Sequence, residues 1–276
     1  ADTSATFSAT RGTMLKKVAL VSAVAALAAY FASLGHSGAE GGATLGSGQM
    51  FDKIAATYDI ANKFMSLGLD KSWRVAMVDA LNVGPGDRVL DLATGTADVA
   101  ILHGQRGANV LGIDPSANML AVGRTKVAER GLDGTVVLEL GDAQALEGLA
   151  DGSFDKITIS FGIRNVPDRS KALREMRRVA APNATLGVME FCVPEAGPLA
   201  PLARFFIRRV VPVLGSLLSG AMSTAEYEHL QKSITDFPPP AAFAAQIEEA
   251  GFKLSNPPTL FACGSVALYV AQPRDM

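Results

Sequence analysis

The stretch RVLDLATGTADVA, residues 88–100, starts as an apolar strand and then breaks into small and polar residues. Its first half predicts a buried strand with Asp91 close to the C-terminal end. Gly95 lies in the turn that follows, where a residue without Cβ lets a ligand approach the backbone. Asp98 then begins a helical stretch. A strand, a small-residue turn and a helix in this order predict a ligand-binding loop in an α/β fold.

Strand-like and helical stretches alternate from residue 50 onward. Short runs rich in Val, Ile and Leu predict the strands Arg88–Leu92, Val110–Ile113, Val136–Leu140, Ile157–Ser160 and Leu186–Phe191, and most are separated by the helical stretches Asp98–Arg106, Ala117–Arg130 and Arg169–Val179. This order predicts a mostly parallel sheet with helices on both faces, whose strand C-termini meet at one edge. Near the C-terminus, FAAQIEEAGFKL predicts a helix that ends at Gly251, and GSVALYVAQP predicts a last strand.

Two further predicted strands are also closed by an acidic residue. Asp114 ends the second strand, where a carboxylate is placed to accept hydrogen bonds from both hydroxyls of a ribose. Asp142 and Ala143 follow the third strand, near where an adenine would lie. Because these ends meet at one edge, Asp91, Asp114 and Asp142 predict an acidic crevice that suits a cationic nucleoside carrying an amino acid.

These residues have two alternative interpretations. A dinucleotide site has the fingerprint G-x-G-x-x-G, whereas the loop ATGTAD contains one glycine between acids that would repel a pyrophosphate. Alternatively, the acids are helix caps and turn formers, which are common roles of Asp.

Composition excludes several classes of protein. The chain of 276 residues has a formal net charge of −2, so no concentrated basic excess indicates a nucleic-acid partner. Cys192 and Cys263 lie far apart, and the three histidines have no metal-ligand spacing, so no metal site is predicted.

The first 49 residues differ in composition from the rest. Residues 1–14 are rich in Ser, Thr and Ala, which predicts a targeting remnant or a disordered segment. Residues 15–35 predict a hydrophobic helix whose uncharged part is long enough to span a bilayer; a signal-like segment and a buried helix are the alternatives. Residues 36–49 predict a glycine-rich linker, and residues 50–276 the folded domain.

Several motifs along the chain belong together. They are YDIANKFMSLGLDKSWR, VLDLATGTAD, GIDPSANML, GDAQAL, FDKITISFGIRNVPD, MEFCVP, EYEHLQKSI and GFKL. From about Met50 to Pro273 the chain thereby resembles the ubiquinone/menaquinone biosynthesis C-methyltransferases of the UbiE/MenG type, which are class I S-adenosylmethionine-dependent enzymes. The stretch ISFGIRNV is the most specific. The chain departs from many members at Thr94 and Ala97, where those members have glycine.

The resemblance implies a fold and a reaction. The expected fold is a Rossmann-like, seven-stranded, mostly parallel sheet with its last strand antiparallel, preceded in this chain by the N-terminal hydrophobic helix. The expected reaction is C-methylation of a prenylated quinol ring in ubiquinone, menaquinone or phylloquinone biosynthesis, with S-adenosylmethionine as methyl donor. A non-catalytic membrane-complex subunit that keeps the fold is the alternative.

The resemblance also implies roles for individual residues. The expected cofactor contacts are Thr96, Asp114, Asp142, Ala143 and Ser160, with Asp91, Gly95 and Met119 added by position. Arg164 and Asn165 are the expected catalytic residues. Arginine stays protonated, so Arg164 would stabilise a phenolate or orient a water rather than act as a base; a surface salt bridge is the alternative. The expected substrate contacts are Tyr58, Asn62, Tyr227 and His229, and ordinary helix packing is the alternative for the first two.

A long apolar substrate tail requires contact with a membrane. Residues 198–220 combine Phe and Val with three arginines, which predicts a surface helix for an anionic bilayer or a quinone entrance; a core or dimer-interface helix is the alternative. The expected partners are the quinol, a membrane contacted through residues 15–35 and 198–220, and a membrane protein complex. The expected location is an organelle membrane, either the mitochondrial inner membrane or a plastid or thylakoid membrane.

Overall fold

The computed structural model describes residues 68–194 and 232–274, together with Asp52, Ala55 and Ser66. The predicted segments 1–14, 15–35, 36–49 and 198–220 lie outside the described residues, as do Tyr58, Asn62, Tyr227 and His229. Within the part of the chain that is described, no helix has the length and apolarity needed to cross a bilayer.

The described elements follow the predicted alternation of strands and helices. In chain order they are α1 (Asp70–Ala80), β1 (Arg88–Leu92), α2 (Asp98–Gly104), β2 (Asn109–Asp114), α3 (Ala117–Ala128), β3 (Val136–Leu140), β4 (Phe154–Ser160), a 3₁₀ turn (Ile163–Asn165), α4 (Arg169–Val179), β5 (Ala180–Phe191), α5 (Pro240–Glu249), β6 (Phe252–Leu254), β7 (Thr259–Phe261), a second 3₁₀ turn (Ala262–Gly264) and β8 (Val266–Pro273).

All these strands belong to one sheet, in the order β3-β2-β1-β4-β5-β8-β6. The first five strands are parallel, and β8 is antiparallel to β5, so the predicted antiparallel last strand is confirmed. The described residues give eight strands instead of the expected seven, because the short β7 also pairs with β8. Both β6 and β7 lie along the edge of β8 that faces away from β5. Pro257 and Pro258 separate them, and neither has an N–H for the ladder.

Both faces of the sheet are covered, which explains the continuous apolar runs. Successive residues of a strand point to opposite faces. In β1, Val89 belongs to the core that contains residues of α1, α2 and α3, whereas Leu90 and Leu92 belong to the core with residues of α4 and α5. All three side chains are fully buried.

Several predicted boundaries were wrong by a few residues. Two helices end early: α2 ends at Gly104 instead of Arg106, and α3 ends at Ala128 instead of Arg130. In each case a glycine with positive φ, Gly107 or Gly131, lies three residues further on, where it turns the chain out of the helix. In contrast, β4 and β5 begin earlier than predicted. Their pairing is irregular between Phe154 and Lys156, so the first residues do not continue the apolar pattern.

Candidate active site

A pocket lies where the C-terminal ends of β1, β2 and β4 meet. The structure brings together seven of the residues predicted for the site, which are Gly95, Asp114, Met119, Asp142, Ala143, Ser160 and Asn165. The remaining lining residues were not predicted; they are Ala93, Ile113, Pro115, Phe161, Gly162, Val166 and Pro167. Most of these seven are apolar and no residue-type pattern distinguishes them from core residues.

Asp114 connects the end of β2 to the loop after β1. Its Oδ2 accepts a hydrogen bond from the backbone N–H of Gly95 at 2.8 Å, and its Oδ1 accepts one from Ser116 N–H at 2.9 Å. Burial raises the pKa of this carboxyl to about 6, and the nearby charge of Asp52 acts in the same direction. Asp114 therefore holds the glycine turn in place while its side chain faces the pocket.

Asp142 also lines the pocket and lies on an exposed turn after β3. Its carboxylate accepts hydrogen bonds from both the backbone and the side chain of Gln144, at 2.9 Å from each nitrogen. The Gln144 side chain in turn accepts a hydrogen bond from Asp168 N–H at the start of α4. These contacts fix the turn that carries Ala143, which lies buried against the pocket.

Asp91 was predicted to contact the cofactor, but the structure places it beneath the loop and outside the pocket lining. It is 1% exposed, and its two oxygens accept hydrogen bonds from the hydroxyls of Thr94 (2.6 Å) and Thr158 (2.7 Å). Thr158 also lies 3.3 Å from the Nε2 atom of the buried His103. Burial raises the pKa of Asp91 to about 6 and lowers that of His103 to about 3. These buried polar contacts among Thr94, Asp91, Thr158 and His103 support the loop after β1.

Thr96 is a second predicted contact that does not line the pocket. It is buried, and its hydroxyl accepts a hydrogen bond from Lys126 Nζ at 3.1 Å. The same ammonium pairs with Asp98 at 2.5 Å. The charge of Asp98, one of the two acids beside the glycine turn, is therefore balanced by a lysine of α3.

The loop after β1 has an unusual backbone. Ala93, Gly95 and Ala97 all have positive φ, at 49°, 56° and 67°. Only Gly95 is of the type that adopts this region without strain. Ala97 stands where many members of the resembling family have glycine, and the backbone keeps the left-handed conformation that a glycine would favour. Strain stored by two alanines beside a pocket is typical of functional loops.

Two polar atoms in the pocket have no hydrogen-bond partner in the part of the chain that the structure describes. Among the described residues, the Ser160 Oγ and Asn165 Oδ1 atoms are buried and make no hydrogen bond. An unsatisfied buried polar atom costs about 1–3 kcal/mol, so such atoms usually indicate a ligand or an ordered water. Together with Asp114, they give the pocket the acceptors and donors that a nucleoside with an amino-acid group requires.

Arg164 lies next to Asn165 but does not line the pocket. Its guanidinium forms an ion pair with Glu190, with Nη1 and Oε1 2.6 Å apart, and both side chains are buried. The alternative prediction of a surface salt bridge for Arg164 is therefore wrong, because the salt bridge lies in the interior. Sequence reasoning missed Glu190. The signal was present in the motif MEFCVP, because an acid there interrupts an otherwise apolar strand.

Solved structures of other proteins share this architecture. The chain is similar to the [4+2]-cyclase SpnF, with a TM-score of 0.59 and 16% identity over 87% of this chain and 100% of the other. It is also similar to an S-adenosylmethionine-dependent methyltransferase from Aquifex aeolicus, with a TM-score of 0.54 and 18% identity over 77% of this chain and 98% of the other. At such identities the likeness shows the fold alone, which is the Rossmann-like α/β methyltransferase fold.

Sequence relatives narrow this class to a family. The sequence model described as the ubiE/COQ5 methyltransferase family matches residues 44–272. The chain is 42% identical over 224 residues to a demethylmenaquinone methyltransferase of Thermus thermophilus, covering 80% of this chain and 98% of the relative. It is 39% identical over 208 residues to a ubiquinone/menaquinone biosynthesis C-methyltransferase UbiE of Geotalea daltonii, covering 74% and 87%. The chain belongs to the ubiE/COQ5 methyltransferase family.

Proposed function

We propose that this protein transfers a methyl group from S-adenosylmethionine to a ring carbon of a prenylated quinol. The family and the names of the two relatives support this reaction. The observation that carries the choice of site is the pocket at the strand ends, where Ser160 and Asn165 present unpaired polar atoms beside Asp114. A non-catalytic subunit is not favoured, since these polar pocket residues would then have no use.

The pocket residues fit the methyl donor. Asp114, at the end of β2, would accept hydrogen bonds from the ribose hydroxyls. Asp142 and Ala143 would flank the adenine, while Gly95 and Met119 would contact the nucleoside from the loop and from α3. Asp91 and Thr96 would contribute indirectly, because their hydrogen bonds hold the loop after β1 in its conformation. When bound, S-adenosylmethionine supplies an electrophilic methyl group on a positively charged sulfur.

The remaining groups serve the acceptor ring. A quinol carbon becomes nucleophilic when a ring hydroxyl loses its proton, so the site has to favour the oxyanion. Asn165 faces the pocket and would orient the ring, and the neighbouring Arg164 carries the positive charge that would stabilise an oxyanion. The apolar lining, including Phe161 and Val166, would help to exclude water around the bound ligands, which would strengthen these electrostatic interactions.

The experiment that tests this function has two parts. Calorimetry measures binding of S-adenosylmethionine to the purified protein. Mass analysis then measures methylation of short-chain demethylated benzoquinols and naphthoquinols under reducing conditions. We expect binding and methylation of at least one ring class, and the preferred class identifies the pathway as ubiquinone or as menaquinone and phylloquinone synthesis. Binding without methylation of either class would contradict the proposed function.

We also propose a division of labour along the chain. Residues 50–276 form the methyltransferase domain, residues 36–49 a flexible linker and residues 15–35 a tether to a membrane or to a membrane complex. The support is compositional: an uncharged apolar run preceded by two lysines and followed by a glycine-rich stretch. The targeting-like residues 1–14 favour an organelle membrane, and residues 198–220 offer a second membrane contact.

A further inference from the structure

Glu190 is fully buried at the C-terminal end of β5, next to the loop that carries Arg164. Its Oε1 accepts a hydrogen bond from Arg164 Nη1 at 2.6 Å, and its Oε2 accepts one from the Arg164 backbone N–H at 3.2 Å. Oε1 also accepts the N–H of Phe191 at 2.7 Å. One carboxylate therefore fixes both the main chain and the side chain of Arg164.

Further contacts hold the guanidinium on its other sides. Nη1 donates to the Phe161 carbonyl at 2.7 Å, and Nε donates to Ser233 Oγ at 3.3 Å. The guanidinium carbon lies 5.4 Å from the centre of the Phe191 ring. The third nitrogen, Nη2, donates no hydrogen bond to any residue that the structure describes. The arginine is thus immobilised through two of its three side-chain nitrogens.

A buried ion pair of this kind is a poor means of stabilising a fold. Removing two charges from water costs about as much as their attraction returns, and apolar residues of similar size often stabilise as well. The pair is explained better by a requirement for orientation, because a planar guanidinium held by a carboxylate keeps one geometry. The adjoining Asn165 faces the pocket, so the position being fixed is at the edge of the active site.

We propose that Glu190 is a positioning residue for the methyl transfer. It holds Arg164 with Nη2 directed to the ring oxygen of the quinol, and its negative charge offsets part of the positive charge that the oxyanion experiences. The inference rests on the proposed function. It assigns a defined task to a residue that contacts neither methyl donor nor quinol, so its effects should appear only through Arg164.

The test compares Glu190→Gln with the wild-type protein. Loss of the fixed geometry should lower kcat by roughly tenfold to a hundredfold, with little change in affinity for S-adenosylmethionine. A second readout is the absorbance titration of a coloured hydroxynaphthoquinone bound to each protein. Its pKa should fall in Glu190→Gln, because the guanidinium charge is no longer offset, and should rise in Arg164→Ala. In an Arg164→Ala background, Glu190→Gln should add little further loss.

Controls separate positioning from folding. Glu175→Gln makes the same chemical change in the Glu175–Arg178 ion pair, whose residues are not among those lining the pocket, and should alter neither kcat nor the pKa of the bound dye. If Glu190→Gln does not fold, Glu190→Asp keeps the charge with a shorter arm and should lower kcat without lowering the pKa of the dye.

Three outcomes would overturn the inference. One is an unchanged kcat in Glu190→Gln, and the second is an unchanged dye pKa. The third is a loss that multiplies fully with that of Arg164→Ala, which would indicate two independent effects. Wild-type protein that binds S-adenosylmethionine but methylates no quinol would overturn the proposed function and this inference with it. Wild-type activity with an unaffected variant would overturn the inference alone.

Discussion

At the scale of single residues, Asp114 has two tasks. It anchors the Gly95 turn through one oxygen and lines the pocket where a ribose would lie. Asp114→Ala should therefore weaken binding of S-adenosylmethionine by about 1–3 kcal/mol, since the hydroxyl donors of the ligand and the Gly95 N–H would lose their acceptor. Calorimetry measures this change.

Asp133→Ala, at an exposed site away from the pocket lining, is the matched control and should leave the affinity unchanged. Equal affinity in both variants would show that the end of β2 is not the ribose site.

The two buried acids Asp91 and Asp114 predict that binding of S-adenosylmethionine depends on pH. Burial raises the pKa of each carboxyl from its ordinary value of 3.8 to about 6. The ionised forms attract the cationic ligand, so affinity for S-adenosylmethionine should fall as the pH is lowered from about 7.5 to about 5. Calorimetric titrations across this range measure the effect, and Asp114→Asn should flatten the curve. An affinity that stays constant through pH 6 would contradict this role for the acids.

The same two groups affect the stability of the ligand-free protein with the opposite sign. Because folding raises their pKa, the fold favours the protonated forms, and the stabilisation present below about pH 4 is lost as the pH rises through about 6. A rise of the pKa from 3.8 to about 6 corresponds to roughly 2–3 kcal/mol for each group. Urea unfolding should therefore show the free energy of unfolding falling over this interval from these groups, and less so with saturating S-adenosylmethionine. A ligand-free stability in Asp114→Asn that follows the same pH dependence as the wild type would exclude this explanation.

At the scale of elements, the pocket depends on a close approach between the loops after β1 and β4. A Cβ atom at Gly162 would lie 2.4 Å from the Cβ of Ala93, so only glycine fits there. Gly162→Ala should cost about 1–3 kcal/mol of unfolding free energy, measured by urea denaturation. Ala93→Gly removes the opposing methyl and relieves a positive φ, so the double variant should recover most of the loss. Gly134→Ala, which meets open space, is the control. A double variant no more stable than Gly162→Ala would show that this contact is not the source of the cost.

The elements themselves could be predicted because their signals are local. Apolar periodicity indicates β1 and α4 to the residue, and the acids at the strand ends lead to the pocket wherever parallel strands share an edge. The side-chain environment of Asp91 could not be predicted, because its partner Thr158 comes from β4 and depends on the register of that strand. The pairing of Arg164 with Glu190 likewise depends on how β4 and β5 align. The register between strands that are far apart in the chain cannot be predicted from a short stretch of sequence.

At the scale of the whole molecule, the predicted tether can be separated from the domain. Deleting residues 1–48 should give a protein that a high-salt wash removes from membranes and that binds S-adenosylmethionine as before. The deletion retains Asp52, whose carboxylate accepts hydrogen bonds from Ser116 Oγ at 2.6 Å and from Asn118 N–H at 3.1 Å at the start of α3. Membrane fractionation and calorimetry measure the two properties. If the shortened protein stays with the membrane after a high-salt wash, residues 15–35 are not the principal tether, and residues 198–220 become the better candidate.

The central claim is that the pocket at the strand ends directs a methyl group from sulfur to a ring carbon of a quinol. The most direct measurement uses S-adenosylmethionine with an isotope-labelled methyl group and a reduced short-chain demethylmenaquinol or demethylated benzoquinol. Nuclear magnetic resonance of the product then locates the label. The account predicts a labelled methyl bonded to ring carbon in the wild-type product and a much smaller yield with Asp114→Ala. Label found on oxygen, or no labelled product from either quinol with protein that binds the donor, would contradict it.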